Sequence, residues 1–333
     1  MRRRRRRPFG NPDLFISTWK TDNLGTSGDT QITLPLEAGG DYDFGINWGD
    51  GSSSKITAYD QTEVTHTYPI AGTYKVQIDG VINGWKFGNG GDKAKITDIS
   101  QWGDLLIGNS GNYFQGCSSL NVTATDVLDV SGVTNFARAF DSCTSLTTLD
   151  VSNWDVSSVT TFDRMFVDCR TLATVDVSNW DVSNATEFKY LFAGCHRLVT
   201  LDVSAWELNT DDGISFRGIF YNCTKLTTLD VSNWDTSNVA TFWAAFYNCN
   251  KLTTLDISSF AITLLTDAAY MLEFVTIANY SDVLINWAAQ IPNIKNNVTF
   301  NAGTNTYNAA GADAKALLEA VPYNWSITDG GLE

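Results

Sequence analysis

Cys143-Thr-Ser-Leu146-Thr-Thr-Leu149-Asp150-Val151-Ser-Asn-Trp154-Asp-Val156-Ser-Ser-Val159-Thr-Thr-Phe162-Asp-Arg-Met165-Phe166 is the stretch from which the rest of the chain is read. Its opening cysteine recurs at 117, 143, 169, 195, 223 and 249, at intervals of 26, 26, 26, 28 and 26 residues. A fixed period of this length marks a solenoid. One such unit cannot bury its apolar face alone, and stacked units can.

Within the unit, Leu146, Leu149 and Val151 alternate toward their end, so residues 148–152 are predicted as a strand with Leu149 and Val151 inward. Apolar residues then fall at 159, 162, 165 and 166, a spacing that predicts a short helix with Ser157 or Ser158 as its N-cap. The L-x-x-L-x-L spacing is that of a leucine-rich repeat. The fuller pattern C-x-x-L-x-x-L-D-V-S-N-W-D-x-S-x-V-x-x-F-x-x-x-F resembles the BspA-like repeats of bacterial surface proteins, including the mycoplasma lipoprotein repeat. Units from Cys143, Cys169, Cys195 and Cys223 carry it; the one from Cys117 is degenerate, and the one from Cys249 decays after Phe260. The resemblance implies adhesion or protein recognition, and similar repeats occur in virion proteins of tailed phages.

The flanks read differently. Residues 10–105 contain short alternating stretches bounded by Gly, Asp and Ser, which predict an all-β sandwich. Trp48-Gly-Asp-Gly51 and His66-Thr-Tyr68-Pro-Ile-Ala-Gly72-Thr-Tyr74 resemble the turn and the following strands of a polycystic-kidney-disease (PKD) type immunoglobulin-like domain, which implies an immunoglobulin-like sandwich. The expected architecture is therefore mixed. A basic arm (1–9) precedes the sandwich (10–105), an α/β leucine-rich-repeat solenoid (106–275) and a C-terminal cap (276–333). In the cap, Ala309 to Ala320 is predicted helical and Asn324 to Thr328 a final strand.

Charge narrows the function classes. The 333-residue chain has a net charge of −15, and six of its 22 Lys+Arg residues are Arg2, Arg3, Arg4, Arg5, Arg6 and Arg7. The remainder is strongly acidic and unsuited to a broad nucleic-acid surface. No apolar run is long enough to span a membrane. No apolar segment follows the arginines, so the start is not read as a secretory signal. The arm is either a solvated tail or an anchor on an acidic partner. Two histidines rule out a histidine metal cluster, and no nucleophile elbow, P-loop or H-E-x-x-H motif is present, so the chain is not expected to be an enzyme.

The repeat also aligns side chains in rows. The cysteine row is expected to be buried free thiol. Trp154, Trp180, Trp206 and Trp234, with Phe260 in the same slot, are expected as core. Asp150, Asp176, Asp202, Asp230 and Asp256 form an outward row between Thr and Ser rows. Like charges abreast repel; either a bound cation such as Ca²⁺ or hydrogen bonds from neighbouring hydroxyls would offset this. No other cofactor is expected. Specific recognition needs residues that break the repeat. One slot reads Asp163, Lys189, Arg217, Trp243, and another reads Val167, Ala193, Tyr221, Tyr247. Of these, Lys189, Arg217, Trp243, Tyr221 and Tyr247 have interface chemistry. The expected function is a virion-associated structural or adhesive protein of a bacteriophage, a tail or capsid decoration in a multi-copy assembly. The arm would contact other virion proteins, and the solenoid a host surface protein or glycan. A bacterial cell-surface adhesin and an intracellular recognition scaffold are the alternatives.

Overall fold

The computed structural model describes residues 13–209 and 213–333; the arginine arm lies outside them. The N-terminal part is all-β. Its strands are β1 (Phe15–Lys20), β2 (Gln31–Thr33), β3 (Leu36–Asn47), β4 (Ser53–Ile56), β5 (Thr65–Thr67), β6 (Thr73–Trp85), β7 (Ile96–Gln101), β8 (Leu105–Leu106) and β9 (Asn121–Val122). One sheet runs β4-β3-β6-β1-β7-β9 with β8 beside β6, and β2 pairs β5 separately. In place of two matched sheets there is one large sheet and a small two-stranded ribbon. Alternation decides the inward face: Phe15, Ser17 and Trp19 of β1 are buried and their neighbours are not.

Two polar devices brace this part. The Trp48 ring stacks on His66 at 4.7 Å, and His66 Nε2 lies 2.8 Å from Asp50 Oδ2. Tyr68 donates its hydroxyl to the Trp48 carbonyl and stacks on Tyr74. Elsewhere, Lys95 and Asp92 are both fully buried, with Nζ and Oδ1 3.9 Å apart. The Lys95 ammonium donates to the carbonyls of Ser27, Gly28 and Gln31. Asp92 accepts from the amides of Thr26, Ser27 and Thr33. A buried charge pair persists only when its hydrogen bonds are met in this way.

The repeat begins inside this sheet. β9 pairs β7 in parallel, and the Asp126 carboxylate accepts from the amides of Trp102 and Gly103. A single apolar core continues from Phe15 to Ile327.

The helix expected after Val159 is absent. Residues 162–169 form two consecutive four-residue turns. Met165 N donates to Phe162 O and Cys169 N to Phe166 O, each from the fourth residue to the first. The third residues, Arg164 and Asp168, have φ of 55° and 54°. Apolar spacing of three and four residues suits such turns as well as a helix. The two differ in where the remaining amides go. Here Phe162, Arg164, Phe166 and Asp168 donate to Glu187, Lys189, Leu191 and Ala193 of the next coil. Ser157 is likewise no helix cap, because its amide and hydroxyl donate to Asp155.

The expected strand at 148–152 shrinks to Thr148–Leu149, paired in parallel with Thr174–Val175. The longer ladder stands on the other side of the coil. Asn135, Thr161, Glu187 and Ser215 bridge in sequence, and the column continues through Thr241, Asp267, Thr299 and Ser326. Residues beyond 276 thus lose the sequence motif and keep the coil. Their longer excursions carry α1 (Tyr280–Ala288) and α2 (Ala309–Glu319). The second helix and the strand Ser326–Thr328 agree with expectation.

Inside the coils, aromatic columns run along the stack. Phe140, Phe166, Phe192, Phe220 and Phe246 stack in series at 5.6–6.0 Å. The tryptophan row is buried, and Trp180, Trp206 and Trp234 donate Nε1 to Val151, Val177 and Val203 of the preceding coil. All six cysteines are free and buried. Five of them point Sγ at a phenylalanine carbonyl of the preceding coil at 3.0–3.2 Å. Burial pushes the thiol pKa up at Cys143, Cys169 and Cys195.

Two outcomes follow. A thiol-specific chromogenic reagent will label no cysteine in the native protein and all six in denaturant. Partial native labelling would refute the packing. Burial alone would raise the Asp50 pKa, but hydrogen bonds from Ser52 and His66 outweigh it and hold the carboxyl at about 2, against an ordinary 3.8. The stabilisation this brings, on the order of 1–2 kcal/mol, is complete above pH ~4 and lost as pH falls toward 2. Asp50→Asn will flatten the acid limb of stability over that window, measured by denaturant titration at each pH.

Candidate interaction surface

The tandem turns have an outer crest, and the repeat-breaking residues meet there. Arg217 lies over the Trp243 ring at 3.8 Å, and its Nε donates to the Tyr190 hydroxyl. Arg164 in turn covers Tyr190 at 5.0 Å. Trp243 meets Tyr270 edge to face. In the adjoining slot, Tyr221 and Tyr247 stack at 4.7 Å, and Tyr247 meets Phe274 edge to face. The result is an aromatic and cationic ribbon along consecutive coils. Of the sequence candidates, Arg217, Trp243, Tyr221 and Tyr247 belong to it. Lys189 lies in the same slot but spends its ammonium on Glu187 at 2.7 Å.

Sequence reasoning missed Arg164, Tyr190, Tyr270 and Phe274. They occupy the third positions of turns, with φ of 55°, 54°, 59° and 64°. A bulky side chain there costs roughly 1–2 kcal/mol against glycine. Glycine is accepted in the same two slots, as Gly218 and Gly194 (φ 59° and 74°). A Cβ on Gly218 would stand 2.5 Å from the Tyr190 ring, so that glycine makes room for the ring. Tyr270 and Phe274 are 48% and 58% exposed, so they recover little of the cost by burial. The available signal was a ring at a slot where other repeats carry glycine. Reading the segment as a helix hid it, since no helical position demands positive φ.

Beside the ribbon is a depression of about 380 Å³, lined among others by Arg164, Arg170, Tyr190, His196, Tyr221 and Asn222. His196 Nδ1 lies 3.1 Å from the Asn222 carbonyl of the next coil, which orients its ring.

The aspartate row lies on a different face. Asp150, Asp176, Asp202, Asp230 and Asp256 are exposed as expected. Each opens a local turn: Oδ1 accepts the amide of the serine two residues on, at 2.8–3.1 Å. The serine hydroxyl adds a second bond in the first four. These bonds hold the Asp150 and Asp230 carboxyls below the usual range. A shallow groove of about 670 Å³ follows the Thr and Asp rows from Asn121 to Asp202. Among the described residues, no group of three or more His, Cys, Asp or Glu side chains is placed to hold a metal ion. The row reads as turn chemistry repeated in each coil. Among the described residues no helix is long and apolar enough to cross a membrane.

The double variant Tyr270→Gly/Phe274→Gly separates presentation from packing. Relief of backbone strain offsets the lost ring contacts. Stability by denaturant titration will change by less than about 1 kcal/mol, whereas a core phenylalanine typically costs 3–5 kcal/mol when truncated.

No curated protein matches the chain. Residues 86–206, 173–287 and 201–309 each match the family described as Mycoplasma protein of unknown function, DUF285. The overlapping matches agree with a sliding repeat and with the resemblance of the 26-residue unit to the mycoplasma-type repeat. Together they span residues 86–309, more than half of the 333 residues, and the chain belongs to this family.

Proposed function

We propose that the chain is a non-enzymatic adhesive repeat protein that binds a macromolecular partner through the crest ribbon. The observation that carries this reading is the placement of Tyr270 and Phe274: two exposed rings in left-handed turn positions where the fold accepts glycine. Strain at exposed rings that serve no core is retained for what they contact. The surrounding Tyr, Trp and Arg have the chemistry of interface anchors, and solenoids bind through such repeat-breaking faces.

The N-terminal part is, in this proposal, a PKD-like spacer. The convergence of Trp48, Asp50, His66, Tyr68 and Tyr74 in one cluster supports it. The surface that displays the protein is proposed to be a phage particle. Arg2 to Arg7 would be the electrostatic anchor, because their charge opposes that of the remaining chain. A bacterial cell surface is the alternative carrier.

Density-gradient separation of material from the native source tests this. The expected result is co-migration with particles and release by high salt. Recovery with the cell envelope would overturn the virion reading and leave the adhesin. Tyr270→Gly/Phe274→Gly, folded and still displayed, is expected to lose attachment to host cells. Unchanged attachment would overturn the ribbon as the binding surface.

A further inference from the structure

A second row beside the ribbon says what chemistry the partner has. Two residues after the cysteine of each repeat stand Ser119, Ser145, Thr171, Arg197, Lys225 and Lys251. The slot is varied, so repetition alone did not produce its three consecutive cations. All three are exposed. Their coils are in register just beyond them, where Thr227 N donates to Val199 O and Thr253 N to Thr227 O. Equivalent side chains therefore start roughly 5 Å apart. Like charges at that spacing repel. Among the described residues no carboxylate pairs with any of the three, although the chain as a whole carries −15. The aspartate row begins five residues further along the coil, at Asp202, Asp230 and Asp256, and its Oδ1 atoms are engaged in their own turns. Arg170 and His196, in the preceding slot, line the depression that also contains Tyr190 and Tyr221, so the basic row adjoins the ribbon.

We propose that Arg197, Lys225 and Lys251, with the adjoining ribbon, bind an acidic segment of a partner protein that also bears apolar side chains. This rests on the ribbon being the binding surface and adds the class of its partner. Unpaired cations on an acidic body concentrate anionic ligands and repel basic ones. The state of the rings favours protein over glycan. Tyr221 and Tyr247 cover one another, and Arg217 covers Trp243. One face of each of Tyr221, Tyr247 and Trp243, on which a sugar would stack, is thus already occupied. Beside them stand ring edges, tyrosine hydroxyls and the ammonium or guanidinium donors of Arg197, Lys225 and Lys251, which suit carboxylates and backbone carbonyls. Tyr270 and Phe274 stand at the end of the ribbon for an apolar side chain.

The test is selection of a random dodecapeptide library on the immobilised full chain. Enriched peptides are expected to be rich in Asp and Glu with interspersed apolar residues. Their affinity should fall by about tenfold or more in Arg197→Gln/Lys225→Gln/Lys251→Gln, and also in Tyr270→Gly/Phe274→Gly. All five positions are exposed, and circular dichroism of each variant checks that it is folded. Enrichment of basic peptides, the default for so acidic a body, would overturn the proposal. So would acidic peptides whose binding ignores the three cations. Polygalacturonate that binds more tightly than the selected peptides, with the same dependence on the three cations, would make the site a glycan site and overturn the protein partner. Peptides that need Tyr270 and Phe274 but are not acidic would refute the partner class and leave the ribbon standing. Acidic peptides that need the cations and ignore the two rings would refute the ribbon instead.

Discussion

Every coil depends on amide-to-carbonyl bonds that leave it for the next one. Phe162, Arg164, Phe166 and Asp168 donate to Glu187, Lys189, Leu191 and Ala193, and the same pattern recurs at Phe188, Tyr190, Phe192 and Gly194 toward Ser215, Arg217, Ile219 and Tyr221. A turn of this kind meets only part of its backbone polarity internally. Buried backbone donors must find partners, so the turn is stable only with a neighbour in register. The 26-residue period is the sequence expression of that register. The columns of Phe, Trp and Cys follow from it, since equivalent inward positions are brought into contact along the whole stack. Where the period slips to 28 residues, between Cys195 and Cys223, the bonds are kept: Asp168→Ala193 and Gly194→Tyr221 are both 2.8 Å.

The same constraint explains how the solenoid can present strained residues. A left-handed tyrosine or phenylalanine would be expensive in an isolated turn. Here the left-handed position is held from outside: Tyr190 N donates to Arg217 O, and in the same slot two repeats on Ala244 N donates to Ala269 O. The strain is local, and the binding of coil to coil is collective. That leaves the crest free to vary in side chain without loss of the fold. The face that carries the aspartate row shows the other limit. There Asp150 and its equivalents each close a turn with the following serine, so the row is uniform because the turn requires it. Uniform rows are thus read as architecture and varied slots as candidates for recognition.

Much of this is legible in the sequence alone. The cysteine interval identifies the repeat, and alternation in Leu149-Asp150-Val151 identifies which residues face inward. The expected burial of the tryptophan and cysteine rows agrees with the structure. The slots that hold Arg217, Trp243, Tyr221 and Tyr247 were singled out because they vary. What misled was the segment from Val159 to Phe166. Apolar positions at 159, 162, 165 and 166 fit a helix and a pair of turns equally, since both return a side chain to the same face every three or four residues. With the wrong choice, Tyr270 and Phe274 had no special standing, and the cap seemed to leave the repeat when it in fact continues as Asp267, Thr299 and Ser326.

The sequence by itself determined the period, the inward residues and the chemistry of the variable slots, because these depend on residue type and spacing alone. Only the tertiary structure decided where the backbone amides go. That choice depends on a partner in the adjacent coil, dozens of residues away, and no local pattern records it. It makes the segment a turn, turns its third position into a left-handed one, and brings Arg164, Tyr190, Arg217, Trp243 and Tyr270 from five different repeats into one ribbon.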